Sequence, residues 1–188
     1  MHRKILTLFS FLLLLTQVAF SQAAQKPQEP EYIGVFAFLD ATGNLRELER
    51  QTPVEKIKIK GLGFGGGEGY LQIKGEQSPI RFKADQKLEF VVRASSQQTD
   101  PVSIVQFFRL ETKKGNRQLL LSKVKPFAVG AKETASQSAI SFNAAKYGES
   151  SFKVVPAYAL APGEYCFSGQ GSKDGFCFGI DSAGSETK

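Results

Sequence analysis

Over residues 56–60 of the run Val54-Glu-Lys-Ile-Lys-Ile-Lys60 the chain alternates without a break: Ile57 and Ile59 on one side, Lys56, Lys58 and Lys60 on the other. A period of two sends successive side chains to opposite faces of a strand. The pattern therefore predicts a half-buried antiparallel strand with its isoleucines turned inward. Apolar or alternating runs continue at 32–39, 45–49, 70–74, 80–83, 88–93, 102–111, 117–124, 139–143, 151–155, 165–168 and 176–180. Between them lie turn-formers such as Asp40-Ala-Thr-Gly-Asn44 and Thr112-Lys-Lys-Gly-Asn116. No window carries a 3.6-residue apolar stripe, and the best helical candidate, 144–147, is one turn. These elements predict an all-β chain, an antiparallel β-sandwich of immunoglobulin-like or jelly-roll type with roughly ten short strands.

The sharpest register lies in the segment 162–181. Setting Cys166 opposite Cys177 puts Phe167 opposite Phe176 and Tyr165 opposite Phe178. Alternation then gathers four aromatics on one face, as core, and both sulfurs on the other. Cross-strand cysteines are within bridging distance, so a structural disulfide is expected. The ten residues between them are unlike a redox-active C-x-x-C motif.

The N-terminus changes the length to be explained. Met1-His2-Arg3-Lys4 is a basic lead, residues 5–20 are apolar, and Ser21, Ala23 and Ala24 are small, the pattern of a cleaved export signal over 1–23. Residues 24–30 read as a flexible lead-in, 31–181 as one sandwich domain, and 182–188 as a flexible tail. Of 24 Lys and Arg, Arg3 and Lys4 leave with the signal, so the charge falls from +6 to +4. That is too mild for a dedicated nucleic-acid binder. No second long apolar run is available to span a membrane. The single histidine, His2, also leaves, which excludes imidazole-activated nucleophiles and histidine zinc sites. Neither a metal nor a cofactor is expected.

Most catalytic motifs fail on context. Gly61-Leu-Gly-Phe-Gly-Gly66 matches a dinucleotide fingerprint, but a strand pattern follows where a helix is required. Ser150-Ser-Phe-Lys153 matches S-x-x-K, yet residues three apart on a strand face opposite ways. What remains is a basic cluster around one hairpin: Arg109, Lys113, Lys114, Arg117, Lys123 and Lys125. Such a cluster suits an acidic envelope protein or an anionic polysaccharide, and the lysine ladder of 56–60 equally suits protection of a sheet edge.

Leu160-Ala-Pro-Gly-Glu-Tyr165 followed by Phe178-Gly-Ile-Asp181 resembles the closing hairpin of uncharacterised bacterial exported β-sandwich proteins. Leu45-Arg-Glu-Leu-Glu49, Ser78-Pro-Ile-Arg81 and the opening Asp100-Pro101 are similar in kind. The resemblance implies a bacterial, exported, β-rich protein and carries no activity with it. The expectation is a non-catalytic periplasmic or secreted binding module. The alternative is a small carbohydrate-active enzyme or lectin-like domain with a carboxylate cleft.

Overall fold

The computed structural model describes residues 26–59, 61, 65–124, 132–133, 135–169 and 172–182. The expected signal segment, Lys60, Lys125 and the tail beyond Ser182 lie outside the described residues. In chain order the elements are β1 (Phe36–Leu39), β2 (Leu45–Glu47), β3 (Glu49–Gln51), β4 (Val54–Ile59), β5 (Gly67–Lys74), β6 (Arg81–Lys83) and β7 (Phe90–Arg93). A single helical turn, α1 (Pro101–Ile104), leads into β8 (Val105–Lys113) and β9 (Asn116–Val124). Then come β10 (Lys132–Glu133), a 3-10 turn (Ala135–Ser138), β11 (Phe142–Tyr147), β12 (Ser151–Pro156), β13 (Gly163–Gly169) and β14 (Gly175–Asp181).

The fold is all-β and sandwich-like. One sheet runs β11-β12-β7-β1-β2 and the other β3-β14-β13-β8-β9-β5-β4, with β10 beside β9 and β6 beside β14. The β6–β14 pair is parallel. Cys166 stands opposite Cys177, Phe167 opposite Phe176 and Tyr165 opposite Phe178, the register expected from alternation. The aromatic face of this hairpin meets Phe36, Phe90, Phe152 and Val154 of the smaller sheet in the main core. Phe36 stacks on Phe167 at 4.9 Å, Phe107 stacks on it at 4.2 Å, and Phe90 meets it edge-on at 4.8 Å. Each such ring buries about 1.5–3 kcal/mol of apolar surface, and paired geometry adds about 0.5–1.5 kcal/mol.

The sulfurs form a disulfide on the opposite face, which is also covered. Residues 105–110 of β8 pair with β13, whereas 111–113 pair with β9, so one long strand belongs to two parts of the sheet. Beyond that point the sheet turns back, and β9 and β5 lie across the outer face of β13 and β14. Ile73, Leu110 and Leu119 pack there with Cys166 and Cys177 as a second core.

Several sequence expectations need correction. All six residues of β4 are exposed, Ile57 at 80% and Ile59 at 68%. β4 is the outermost strand of the folded-back part, so its isoleucines face no covering layer; periodicity identifies a strand but not what covers it. Residues 144–147 are not a helical turn but belong to β11, paired in register with β12. Asp100-Pro101 opens a turn of helix rather than a strand. The Asp100 side chain accepts from the Val102 N–H, and proline fills the first helical position, where no donor is needed. The lead-in is tied down at 26–30. Glu29 accepts from the Ser150 N–H at 2.9 Å, Gln28 accepts from the Leu45 N–H, and Arg93 donates to the carbonyls of Pro30 and Glu31.

Candidate functional site

The β8–β9 hairpin closes through Lys114 and Gly115, at φ +52° and +77°. Two successive positive φ values between the paired Lys113 and Asn116 form the two-residue turn whose twist matches that of the strands. Glycine adopts this conformation freely; lysine does so against the crowding of its own Cβ. The turn is held from outside. Glu76 accepts from the Gly115 N–H at 3.0 Å, and Asn116 donates from Nδ2 to the Lys114 carbonyl at 2.8 Å.

One face of this hairpin, with β4 and β5, forms a shallow trough of about 350 Å³ lined by Lys58, Glu68, Tyr70, Glu111, Lys113, Lys114, Gln118, Leu120 and Lys123. Lys58, Glu68 and Lys123 are successive cross-strand partners on β4, β5 and β9. Lys123 pairs with Glu68 at 3.7 Å. Four lysines thus line one concavity with two glutamates, and Tyr70 lines it with them. Three of the residues singled out from sequence, Lys113, Lys114 and Lys123, meet here, and Lys58 joins them from the other ladder. Arg109 stands apart and donates to the Pro162 carbonyl at 3.0 Å. Lys125 is outside the described residues.

Arg117 overturns its sequence reading. It is 0% exposed and belongs to the second core rather than to a binding surface. In phase with Leu119 on β9, it points between the sheet layers. There it donates from Nη1 to Glu49 Oε2 at 2.6 Å and from Nη2 to Glu49 Oε1 at 2.9 Å, with a further bond to the Gly75 carbonyl. Glu164 Oε2 lies 3.8 Å from the same guanidinium and accepts the Ser78 N–H at 2.9 Å. Glu164 is shared with Arg81, which also grips Asp181 at 2.6 Å. Burial pushes the Glu49 carboxyl up, but the bonds and charge of Arg117, with Ser78 and Gln51, outweigh it and hold the pKa below 4.5. Burial likewise opposes the charge on Arg81, and Asp181 and Glu164 reverse that, raising its pKa above the usual arginine value.

Comparison with known proteins finds no family model, no curated protein and no solved structure that matches this chain. The site therefore rests on its own geometry. Ser150 and Lys153 do not form a nucleophile pair: Lys153 contacts Glu89 at 3.5 Å, and Ser150 lies against Glu29 through its backbone. Among the described residues no group of three or more His, Cys, Asp or Glu is arranged to hold a metal.

The buried Arg–Glu cluster was not anticipated, although its signal was present. Arg117 occupies an apolar phase of β9, and Glu164 shares a phase with Cys166. Glu49, Ser78, Arg81, Glu164 and Asp181 all fall inside the segments quoted above for the resemblance. A charged residue at a core phase asks for a buried partner.

Proposed function

We propose that this protein is an exported, non-catalytic binding module of the bacterial cell envelope that holds an anionic polysaccharide along the lysine trough. The observation that carries the reading is the convergence of Lys58, Lys113, Lys114 and Lys123, from β4, the β8–β9 hairpin and its tip, into one concavity beside Tyr70. A concave surface of one dominant sign concentrates a polyanion of opposite charge, and spaced ammonium groups match repeating carboxylates or phosphates. The conformation of Lys114 adds weight. A lysine at φ +52° sits where asparagine or glycine fits more easily, and unfavourable backbone kept at one position suits a side chain needed there. The carbohydrate-active alternative asks for a carboxyl group held protonated as an acid. Glu49, Glu164 and Asp181, the carboxylates of the buried cluster, are instead each paired to an arginine.

The test is binding of purified anionic envelope polysaccharide across a salt series, for the wild type and for a Lys113→Glu/Lys114→Glu/Lys123→Glu variant. Affinity should fall steeply between about 0.1 M and 1 M salt, as the screening length drops from about 10 Å to 3 Å. The variant should lose binding and keep its β-type circular dichroism. Binding indifferent to both salt and charge reversal refutes the reading. Retention of an acidic protein but not the polysaccharide would make the partner a protein.

A further inference from the structure

The described residues do not fill the space between the folded-back strands and the disulfide hairpin. A chamber of about 790 Å³ lies there. Leu71, Ile73, Leu119 and Leu121 form one wall; Phe108, Leu110 and Cys166 of the disulfide form the other. Leu71, Leu121 and Phe108 are only partly buried even though their strands have neighbours on both sides, because their side chains border this space. Arg117 closes the deep end with its charge already neutralised by Glu49. The open end is polar and is ringed by Thr52, Gln106, Ser172 and Lys173.

We propose that this chamber binds a single acyl chain, with the head group of its owner at the Gln106–Lys173 rim. The volume falls within the range of small-molecule sites, which are mostly apolar inside with a few polar groups at fixed positions. The walls also decide the class of occupant. β5, β9, β8, β13 and β14 are each hydrogen-bonded to neighbours, so an entering peptide would find little backbone to pair with. Burying its amides there would leave them unsatisfied. A hydrocarbon chain has no such groups. An apolar space of this kind does not hold ordered water well and favours an apolar guest. The wall also continues outward: Ile57 and Ile59 stand on the face of β4 that carries Glu55, opposite Gly69 and Gly67, and are exposed to solvent. An amphiphile approaching from a membrane or micelle meets apolar contact there before it enters.

Two sources share this chemistry, a free fatty acid and a lysophospholipid, and the experiment separates them. The chain contains no tryptophan, so Phe108→Trp places a single reporter on the chamber wall. Titration with cis-parinaric acid should give saturable energy transfer from that tryptophan, reversed by added palmitate or by lysophosphatidylcholine. Leu71→Phe/Leu121→Phe, which fills the chamber with apolar volume, should weaken binding about tenfold or more. Lys173→Glu, at the exposed rim, should weaken palmitate several-fold and leave lysophosphatidylcholine unchanged if the native head group is a carboxylate. The reverse ranking of the two competitors assigns a lysophospholipid. Circular dichroism of each variant checks the fold, and Lys113→Glu/Lys114→Glu should bind parinarate as the wild type does. Absence of saturable transfer, or binding that the filling variant leaves unchanged while its fold is intact, overturns the proposal.

Discussion

Replacing Arg117 with leucine tests the buried ion cluster most directly. The substitution keeps apolar bulk between Ile73 and Leu110 but removes the cation from Glu49 and one of two from Glu164. Glu164 retains Arg81 and the Ser78 N–H, so its loss is partial. Glu49 keeps only Gln51 and Ser78 as partners. A buried charge stripped of its partner costs about 3–5 kcal/mol. For a chain of this size that lowers the melting temperature by about 6–20 °C. The dependence on pH carries more information than the magnitude. In the wild type the Glu49 pKa lies below its unfolded value, so its stabilisation is complete above about pH 5 and fades as pH falls through the folded pKa. In the variant, burial without the guanidinium pushes the same carboxyl upward, so the folded state takes up a proton first and recovers stability on acidification. The gap between the two proteins should therefore be widest near pH 7 and narrow toward about pH 4. Urea unfolding followed by circular dichroism at both pH values measures it. Removing both partners, as Glu49→Leu/Arg117→Leu, should recover much of the loss, because no charge is then left uncompensated. A loss under about 1 kcal/mol, or a gap that stays constant with pH, refutes the reasoning.

Three further expectations are open to the same unfolding assay. Gly179→Ala would set a Cβ 2.7 Å from Glu164 Oε1 and against the Arg81 guanidinium, displacing that pair; the cost should be about 3 kcal/mol, and a silent substitution would mean that the guanidinium does not lie over this backbone. Cys166→Ala/Cys177→Ala opens a short loop and should cost about 3 kcal/mol, so a variant as stable as the oxidised wild type would deny the bridge its structural role. Lys114→Gly relieves a positive φ and should raise stability by about 0.5–1 kcal/mol while weakening polysaccharide binding; gain on both counts would free Lys114 from any functional role.

The C-terminal hairpin was legible in the sequence because two cysteines and four aromatics fix both register and face, leaving one consistent pairing. The β4 lysine ladder was legible as a strand, and edge protection was among its readings, but the exposure of its isoleucines was not legible. Its pattern is local, whereas its exposure depends on β5 and β9 turning back through a bend in β8 that no local pattern marks. The same bend explains the divided fate of the basic hairpin. Lys113, Lys114 and Lys123 share the trough, while Arg117, on a paired strand of the same hairpin, faces the layer behind and is buried. Counting charges along the hairpin could not separate them. The phase relative to Leu119 does, once β9 is known to have a covered side.

The place of β13 and β14 has a consequence for time as well as space. They come last among the strands yet lie beside β3 and β8, inside the larger sheet, and their rings hold Phe36, Phe90 and Phe107 together. During synthesis, both cores must wait for residues 163–181 before they can close. Until then the first six residues of β8 lack their strand partner β13, Glu49 and Arg117 have no Glu164 behind them, and the apolar faces of both layers are open. Long-range closure of this kind slows folding and leaves unpaired strand edges exposed in the meantime. The nascent chain is thus most vulnerable to aggregation or proteolysis just before its final hairpin emerges. The alternating lysines of β4, already made by then, keep at least one of its edges from pairing with a neighbouring chain.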